Sequence, residues 1–576
     1  MEELTGIPAS PGVAIAQALI FDSKEFPVSH RKLTPDEVPG EKERFAEAVE
    51  GAIAEIRAVQ EGAAAKAGGE YLKIFDAHIS MLRDLELQRE ILEEIETAQC
   101  TAELAVSTVI RRYVRLVRAD EATAQRARDF YDIEHGLHAH LRGLKREDLS
   151  CLENDVIIVA GDLTPGQTVR LDKEKVRAFA TDGGGRTAHT AIVARALGIP
   201  AVVGLGEITS EVVAGDLVIV DGSTGTVVVN PDVPTLNRYH AKARNIEEHE
   251  ARLARLRHLP AETTDGHRVH LYANIESPDE IAIAVERGAE GVGLYRTEFL
   301  FFAKGAAPTE EEHFAAYHQV AQALGHRPLT VRTFDMGGDK LEPEQRMSEK
   351  NPFLGCRSIR LCFQRTDLFR TQLRAILRTS AGANVRILFP LISTLREIRL
   401  AKRFVHEVMA ELDEEGVAFS RSIQIGIMIE VPSAAWIADL LAKEVDFFSI
   451  GTNDLVQYCL AVDRGNECVG DLFQPADPAV LRMIANVIEA GAGAGIRVAM
   501  CGEMSGEVHY ALLLVGLGLR EFSVSPGVLP RIKEIVRSVS LDDAQAIARK
   551  ALAFDDAERT VAYLKEATDE ILPPDA

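Results

Sequence analysis

The sequence predicts an α/β multidomain chain: an α/β domain interrupted by an inserted all-helical domain, then a C-terminal TIM (β/α)8 barrel. Three observations carry this expectation. Short β-branched runs broken by glycine occupy the start of the chain and residues 154–230. Between them, from about Pro35 to Leu144, the apolar residues recur with helical spacing. After about Thr263, strand-like and helix-like runs alternate eight times, the repeat a TIM barrel requires over about 300 residues.

Bulk properties narrow the class. At 576 residues the chain is too long for one core. Its 46% hydrophobic and 26% charged residues are ordinary for a globular protein. A formal charge of −24 argues against nucleic acid or an anionic membrane as the main partner and would suit a basic protein. The seven cysteines (100, 151, 356, 362, 459, 468 and 501) are scattered and form no C-x-x-C pair, so neither a disulfide framework nor a zinc cage is expected. Met1-Glu2-Glu3-Leu4 has neither a basic nor an apolar leader region, and no apolar run reaches membrane-spanning length. A cytoplasmic location is expected.

The chain opens with Gly6-Ile7-Pro8-Ala9-Ser10-Pro11-Gly12, a turn, followed by the short strand Val13–Ala16. Residues Tyr71–Leu82 place apolar side chains at 71/72, 74/75, 79 and 81/82, one helix face. Strands are expected at Val156–Val159, Leu217–Val220 and Thr226–Val229, and the opening strand should join them, making the helical region an insertion. The charged segment Thr235–His258 reads as a helical connector.

Gly183-Gly184-Gly185-Arg186-Thr187-Ala188-His189-Thr190-Ala191 follows an apolar run ending at Phe179 and leads into Ile192-Val193-Ala194-Arg195, which reads as a helix. A strand, a glycine turn and a helix start bring unpaired N–H groups to the positive end of a helix dipole, a site that attracts phosphate. An imidazole there could carry a phosphoryl group. Taken alone, the stretch also reads as a tight turn whose histidine merely packs.

The eight barrel strands are expected at His270–Ile275, Val292–Tyr295, Leu329–Thr333, Val385–Phe389, Ile423–Ile429, Phe447–Ile450, Arg497–Met500 and Glu521–Val524. Active sites of such barrels lie at the C-terminal strand ends. There the sequence puts Arg296-Thr297-Glu298, then Arg332, Asp335 and Lys340, then Asn351–Arg357, Glu430, Gly451-Thr452-Asn453-Asp454 with Arg464, and Cys501-Gly502-Glu503. Glu430 and Asp454 are hard carboxylates suited to one Mg²⁺. Arg296, Arg332, Arg357 and Arg464 can clamp phosphate and carboxylate groups, with Asn453 as a further donor. The set suits a small, multiply anionic phosphorylated acid. Cys501 reads either as a proton donor or as inert filler.

Together these segments closely resemble enzyme I of the bacterial phosphoenolpyruvate:sugar phosphotransferase system. The resemblance covers essentially the whole chain and rests on the order and spacing of Gly6–Gly12, Ile74–Leu82, Asp162–Pro165, Gly184–Arg195, Gly291–Phe299, Arg332–Lys340, Asn351–Arg357, Gly451–Val456 and Cys501–Met504. It implies a swivelling phosphohistidine α/β domain at 1–30 and 145–230. An inserted helical domain at 31–144 would bind the phosphocarrier protein HPr. A helical linker at 231–261 would lead to a phosphoenolpyruvate-binding TIM barrel and dimerisation domain at 262–576. By resemblance His189 accepts the phosphoryl group with Thr168 near it, Glu430 and Asp454 bind Mg²⁺, and Arg296, Arg332, Arg357, Asn453 and Arg464 bind phosphoenolpyruvate. Cys501 is then the proton donor that completes pyruvate.

The expected reaction is phosphoenolpyruvate-dependent phosphorylation of His189 followed by transfer to HPr, in a homodimer. Two demands follow: a swivel about segments near 230–262, and a docking face around Ile74–Leu92 with Asp76, Asp84 and Glu86 nearby. That face also reads as a solvated helix packing only within its own domain. The chain departs from the family in having Ala188 where Ser usually precedes the histidine, and in Leu341-Glu342-Pro343-Glu344-Gln345. Pyruvate,phosphate dikinase and phosphoenolpyruvate synthase share the swivelling histidine but need a nucleotide-binding domain, and no Walker-type loop is present. A nitrogen-regulatory relative would carry a sensor domain before residue 1, and the sugar-system enzyme, without one, is the expectation here.

Overall fold

The computed structural model describes residues 1–21, 31–64, 78–118, 127–141, 155–161, 175–184, 194, 199–213, 215–302, 307–337, 351–464, 466 and 468–572. The chain divides into two compact units, Met1–Glu248 and His249–Ala576.

In the first unit, eight strands form one sheet: β1 (Glu2–Thr5), β2 (Ile7–Ser10), β3 (Val13–Phe21), β4 (Val156–Ala160), β5 (Val176–Thr181), β6 (Ala201–Val203), β7 (Leu217–Asp221) and β8 (Thr226–Val229). Their order is β1-β8-β7-β3-β4-β5-β6-β2. The opening strand does join the later ones: β3 runs parallel to β4 and antiparallel to β7. Strands β4 and β5 are buried along almost their whole length, which is why their sequence reads as apolar runs rather than alternation. Close packing demands glycine at Gly222, where a Cβ would lie 1.9 Å from the Ser10 carbonyl oxygen.

Between β3 and β4 the described helices span Val38–Ala64, Leu85–Ala98, Ala102–Arg118 and Ala127–Leu141. They bury a core of their own, including Phe45, Ile91, Ile95, Val106, Val109, Ile110 and Leu137. Asp84 caps the second of these by accepting from Glu86 N at 2.8 Å and Leu87 N at 3.1 Å. Arg44 ties the bundle together, donating to both Glu41 oxygens (2.7 and 2.8 Å), to Glu103 at 3.0 Å and to the Leu141 carbonyl at 2.8 Å. Of the helix expected over 71–82, residues 71–77 lie outside the described residues, and 78–82 are helical. The charged connector is the helix Val233–Leu256, which begins in the first unit and ends in the second.

The second unit is a closed, all-parallel barrel of β9 (His270–Ile275), β10 (Val292–Tyr295), β11 (Leu329–Arg332), β12 (Val385–Phe389), β13 (Gln424–Ile429), β14 (Phe447–Ile450), β15 (Arg497–Met500) and β16 (Glu521–Val524). Six of the eight strands have the expected limits; β11 stops one residue early and β13 starts one residue late. The helices Glu310–Leu324 and Leu395–Glu414 both open with capping boxes, Thr309 with Glu312 and Thr394 with Glu397. The main core lies between strands and outer helices, and Leu294, Leu388, Met428, Phe447 and Cys501 form a separate small cluster. Parallel pairing aligns all eight C-terminal strand ends on one rim, which is where the polar residues gather.

Candidate active site

Arg332 is the last residue of β11 and is 9% exposed. Its Nη2 lies 3.0 Å from Glu298 Oε2 and its Nη1 lies 2.9 Å from Asp335 Oδ2. Arg357 Nη2 reaches the other oxygen of the same carboxylate, Asp335 Oδ1, at 3.0 Å, and its Nη1 reaches Asp454 Oδ1 at 3.1 Å and the Tyr458 hydroxyl at 3.3 Å. Asp335 therefore sits between two guanidiniums and also accepts from the Ser358 hydroxyl. Burial alone would raise its carboxyl, but Arg332 and Arg357 outweigh that and hold it well below the usual carboxylate range. Both guanidiniums are correspondingly held in the charged form: burial opposes it, and Glu298 and Asp335 on Arg332, Asp335 and Asp454 on Arg357, more than compensate.

The backbone beneath this cluster is fixed by one amide. Gln372, fully buried on the helix Thr366–Thr379, accepts from Phe334 N at 3.0 Å and donates to Thr297 Oγ1 at 3.0 Å and to the Tyr317 hydroxyl at 3.2 Å. Thr297 in turn donates to the Arg332 carbonyl at 3.0 Å. The Tyr317 hydroxyl pairs with His313 Nδ1 at 2.9 Å. Sequence reasoning missed Gln372. Its signal was there: a glutamine among Phe369, Leu373 and Ile376 on a buried helix face.

Glu430 follows β13 and is 1% exposed, with Oε1 accepting from Leu391 N at 2.6 Å. Gly451 gives it room, since a Cβ there would lie 2.9 Å from Glu430 Oε2. Burial, then the neighbouring Asp454 and Asp335 charges, push the Glu430 carboxyl well above its ordinary range. A small cation between Glu430 and Asp454 would relieve that repulsion, and both donors are hard oxygens. Among the described residues no three His, Cys, Asp or Glu gather as a complete metal cage. Two hard carboxylate donors suit a cation such as Mg²⁺, which keeps water and takes substrate oxygens.

Asn453 and Arg464 meet at Glu503. Asn453 Nδ2 donates to Glu503 Oε1 at 3.0 Å, Asn453 Oδ1 accepts from Glu503 N at 2.9 Å, and Arg464 Nη1 lies 3.3 Å from Glu503 Oε1. Arg296, just past β10, pairs with Glu276 Oε1 at 2.6 Å. These are partly exposed, in contrast to Arg332 and Arg357. Cys501 is buried, accepts from the Ser449 hydroxyl at 3.2 Å, and has its thiol pushed up, chiefly by burial.

His189 and Thr168 lie outside the described residues. The approach to them does not. After β5, Thr181 Oγ1 donates to the Gly183 carbonyl at 2.7 Å, Gly204 N donates to the same oxygen at 3.1 Å, and Gly184 takes φ +113°. Asp182 accepts from Thr209 N at 2.9 Å and from its hydroxyl at 2.5 Å.

Three family descriptions match the chain in order: PEP-utilising enzyme, N-terminal, over residues 5–128; the mobile domain over 152–225; and the PEP-binding domain over 250–541. The phosphoenolpyruvate-protein phosphotransferase of Haemophilus influenzae is 42% identical over 572 residues, 99% of each chain. The chain belongs to the phosphoenolpyruvate-protein phosphotransferase family. The Geobacillus stearothermophilus member is 43% identical over 97% of each chain, and that of Bacillus subtilis 42% identical over 98% of this chain and all of its own. The PEP-binding match of this phosphotransferase family spans all eight barrel strands and every rim residue from Arg296 to Cys501, and the mobile-domain match spans Thr168 and His189. No described helix is long and apolar enough to cross a membrane.

Proposed function

We propose that the chain takes the phosphoryl group of phosphoenolpyruvate onto His189, releases pyruvate, and passes the group to a histidine of HPr. The observation that carries this is the pair of guanidiniums, buried Arg332 and largely covered Arg357, beside Glu430 and Asp454 at one barrel rim. That is a site for a small polyanion handled with a divalent cation. The near full-length similarity to phosphoenolpyruvate-protein phosphotransferases supports the choice of polyanion.

Arg332 and Arg357 would bind and orient the phosphoryl group, with Arg296, Asn453 and Arg464 completing the grip on the substrate. Glu430 and Asp454 would hold Mg²⁺, which when bound supplies positive charge to the phosphate and enolate oxygens. Neutral His189 attacks phosphorus with a ring nitrogen, forming an N–P bond as the ester P–O bond breaks. Its electron pair stays on the leaving enolate. Charge is spread in that loose transition state, so prepositioned arginines contribute more than covalent help would. The enolate collapses to the ketone as C3 takes a proton from Cys501, giving pyruvate. Thr168 would support the phosphohistidine.

For His189 to serve first phosphoenolpyruvate and then HPr, we assign residues 1–30 and 145–230 to a swivelling phosphohistidine domain, 31–144 to the HPr-binding insertion, 231–261 to the linker and 262–576 to the barrel. HPr would dock around Ile74–Leu92, near Asp84 and Glu86. Dimerisation would run through the barrel, and the protein would work in the cytoplasm.

Incubation with radiolabelled phosphoenolpyruvate and Mg²⁺, with and without HPr, tests this. Acid-labile label that appears on the protein, disappears in His189→Ala and chases onto HPr is the expected result. Label that waits on a nucleotide would instead place the chain with the dikinases. No label on folded protein would end the proposal.

A further inference from the structure

Cys501 follows β15 and is 3% exposed, in the apolar company of Leu294, Leu388, Met428 and Phe447. Its backbone is fixed from both sides: its N–H donates to the Ile450 carbonyl at 3.1 Å, and its own carbonyl accepts from Asn274 Nδ2 at 3.0 Å. Asn274 is held in turn, its Oδ1 accepting from Ser523 Oγ at 2.6 Å. The sulfur faces the neighbouring strand β14, where Ser449, 1% exposed, donates its hydroxyl to Cys501 Sγ at 3.2 Å. The thiol proton has the Ile450 carbonyl as its acceptor, 3.7 Å away.

We propose that Ser449 is a positioning residue that governs proton delivery from Cys501 to C3 of the enolate. The inference rests on Cys501 being the donor in the reaction proposed above. In that step the S–H bond breaks, a C3–H bond forms from the enolate π pair, and the sulfur is left with the negative charge until water returns a proton. A thiolate in an apolar barrel interior is costly unless a donor meets it. Ser449 already points its O–H at the sulfur, so no reorganisation is needed as the charge appears. A hydrogen bond to an anion is roughly twice as strong as one to a neutral acceptor. The Ser449 contact therefore strengthens along the reaction coordinate, and only such contacts accelerate a step. At rest the burial that raises the thiol keeps its proton in place.

The test uses the full-length protein with Mg²⁺, phosphoenolpyruvate and pyruvate at equilibrium in D₂O, following deuterium entry at C3 of pyruvate by NMR. Ser449→Ala should slow exchange by about ten- to a hundredfold, with KM for phosphoenolpyruvate within about twofold of wild type. Ser449→Thr should restore the rate. Ser449→Cys, which fills the same space with a weaker donor, should fall between and gives an independent reading if the alanine variant misfolds. Wild-type exchange in Ser449→Ala or Ser449→Cys alongside none in Cys501→Ala would overturn the role of Ser449. So would a parallel loss in binding and exchange that threonine does not rescue. Undiminished exchange in Cys501→Ala would instead remove the donor assignment itself, a separate failure.

Discussion

Asp335 offers one carboxylate to two guanidiniums, Oδ1 to Arg357 at 3.0 Å and Oδ2 to Arg332 at 2.9 Å. Arg332 ends β11 and Arg357 lies within the long connection from β11 to β12, so this acid sets their separation. Two positive side chains are thereby held ready for an anion at a fixed spacing, before any ligand contributes.

Removing that acid should damage both fold and site. Asp335→Ala leaves buried Arg332 and largely covered Arg357 each short of a partner, at a cost of about 3–5 kcal/mol of barrel stability. In material that still folds, kcat/KM for phosphoenolpyruvate should drop about a hundredfold, since misplaced arginines lose the transition state. Because the Asp335 carboxyl is held below its ordinary range, its stabilising contribution is present above the unfolded carboxylate pKa and is lost as pH falls through the folded one. Acid unfolding curves of wild type and Asp335→Asn should therefore converge at strongly acidic pH.

Glu430→Gln removes a buried charge repelled by Asp454 and Asp335, so the metal-free protein should unfold no more easily than wild type. Mg²⁺ should raise the thermal midpoint of wild type, by the equivalent of about 2.7 kcal/mol at a hundred times its Kd, and leave the variant unmoved. Phosphorylation from phosphoenolpyruvate should fall roughly a hundredfold or more in the variant. An equal Mg²⁺ shift in both proteins would remove Glu430 from the cation site.

His313 gives a pH prediction of definite sign. Burial lowers its pKa to about 4, below the ordinary 6.5. The unfolded chain thus binds the proton first, and stability contributed by the neutral, buried ring is lost as pH falls from about 6.5 toward 4, up to ~3 kcal/mol. His313→Gln, which can still accept from Tyr317, should show a shallower decline of Tm between pH 7 and 4.5. Parallel declines would count against the buried-histidine origin.

Asp182→Ala should loosen the turn that leads toward His189 by deleting both hydrogen bonds from Thr209, at a cost of roughly 1–2 kcal/mol. Phosphohistidine formation should slow while phosphoenolpyruvate protection of the barrel against proteolysis stays at its wild-type level. A variant labelled as fast as wild type would mean that the turn is held by Gly183 and its backbone partners alone.

By itself the sequence determined the order of the parts. Six barrel strands were delimited to the residue, because buried parallel strands read as short apolar runs between helices. The rim residues were legible for a related reason: in a parallel barrel every strand's C-terminal end faces one way, so polar residues just after each run must share a rim. What only the tertiary structure decided was who partners whom. Asp335, Glu298 and Glu503 stood in the sequence as further acids at strand ends. Closure of the barrel made the first two the anchors of Arg332 and Arg357, and the third the partner of Asn453 and Arg464. Gln372 and Ser449 carried no chemistry in the sequence, because their roles come from hydrogen bonds to residues 38 to 75 positions away. Periodicity along a chain encodes which face is buried. It does not encode which polar groups meet once distant strands are brought side by side, and the chemistry of this site depends on those meetings.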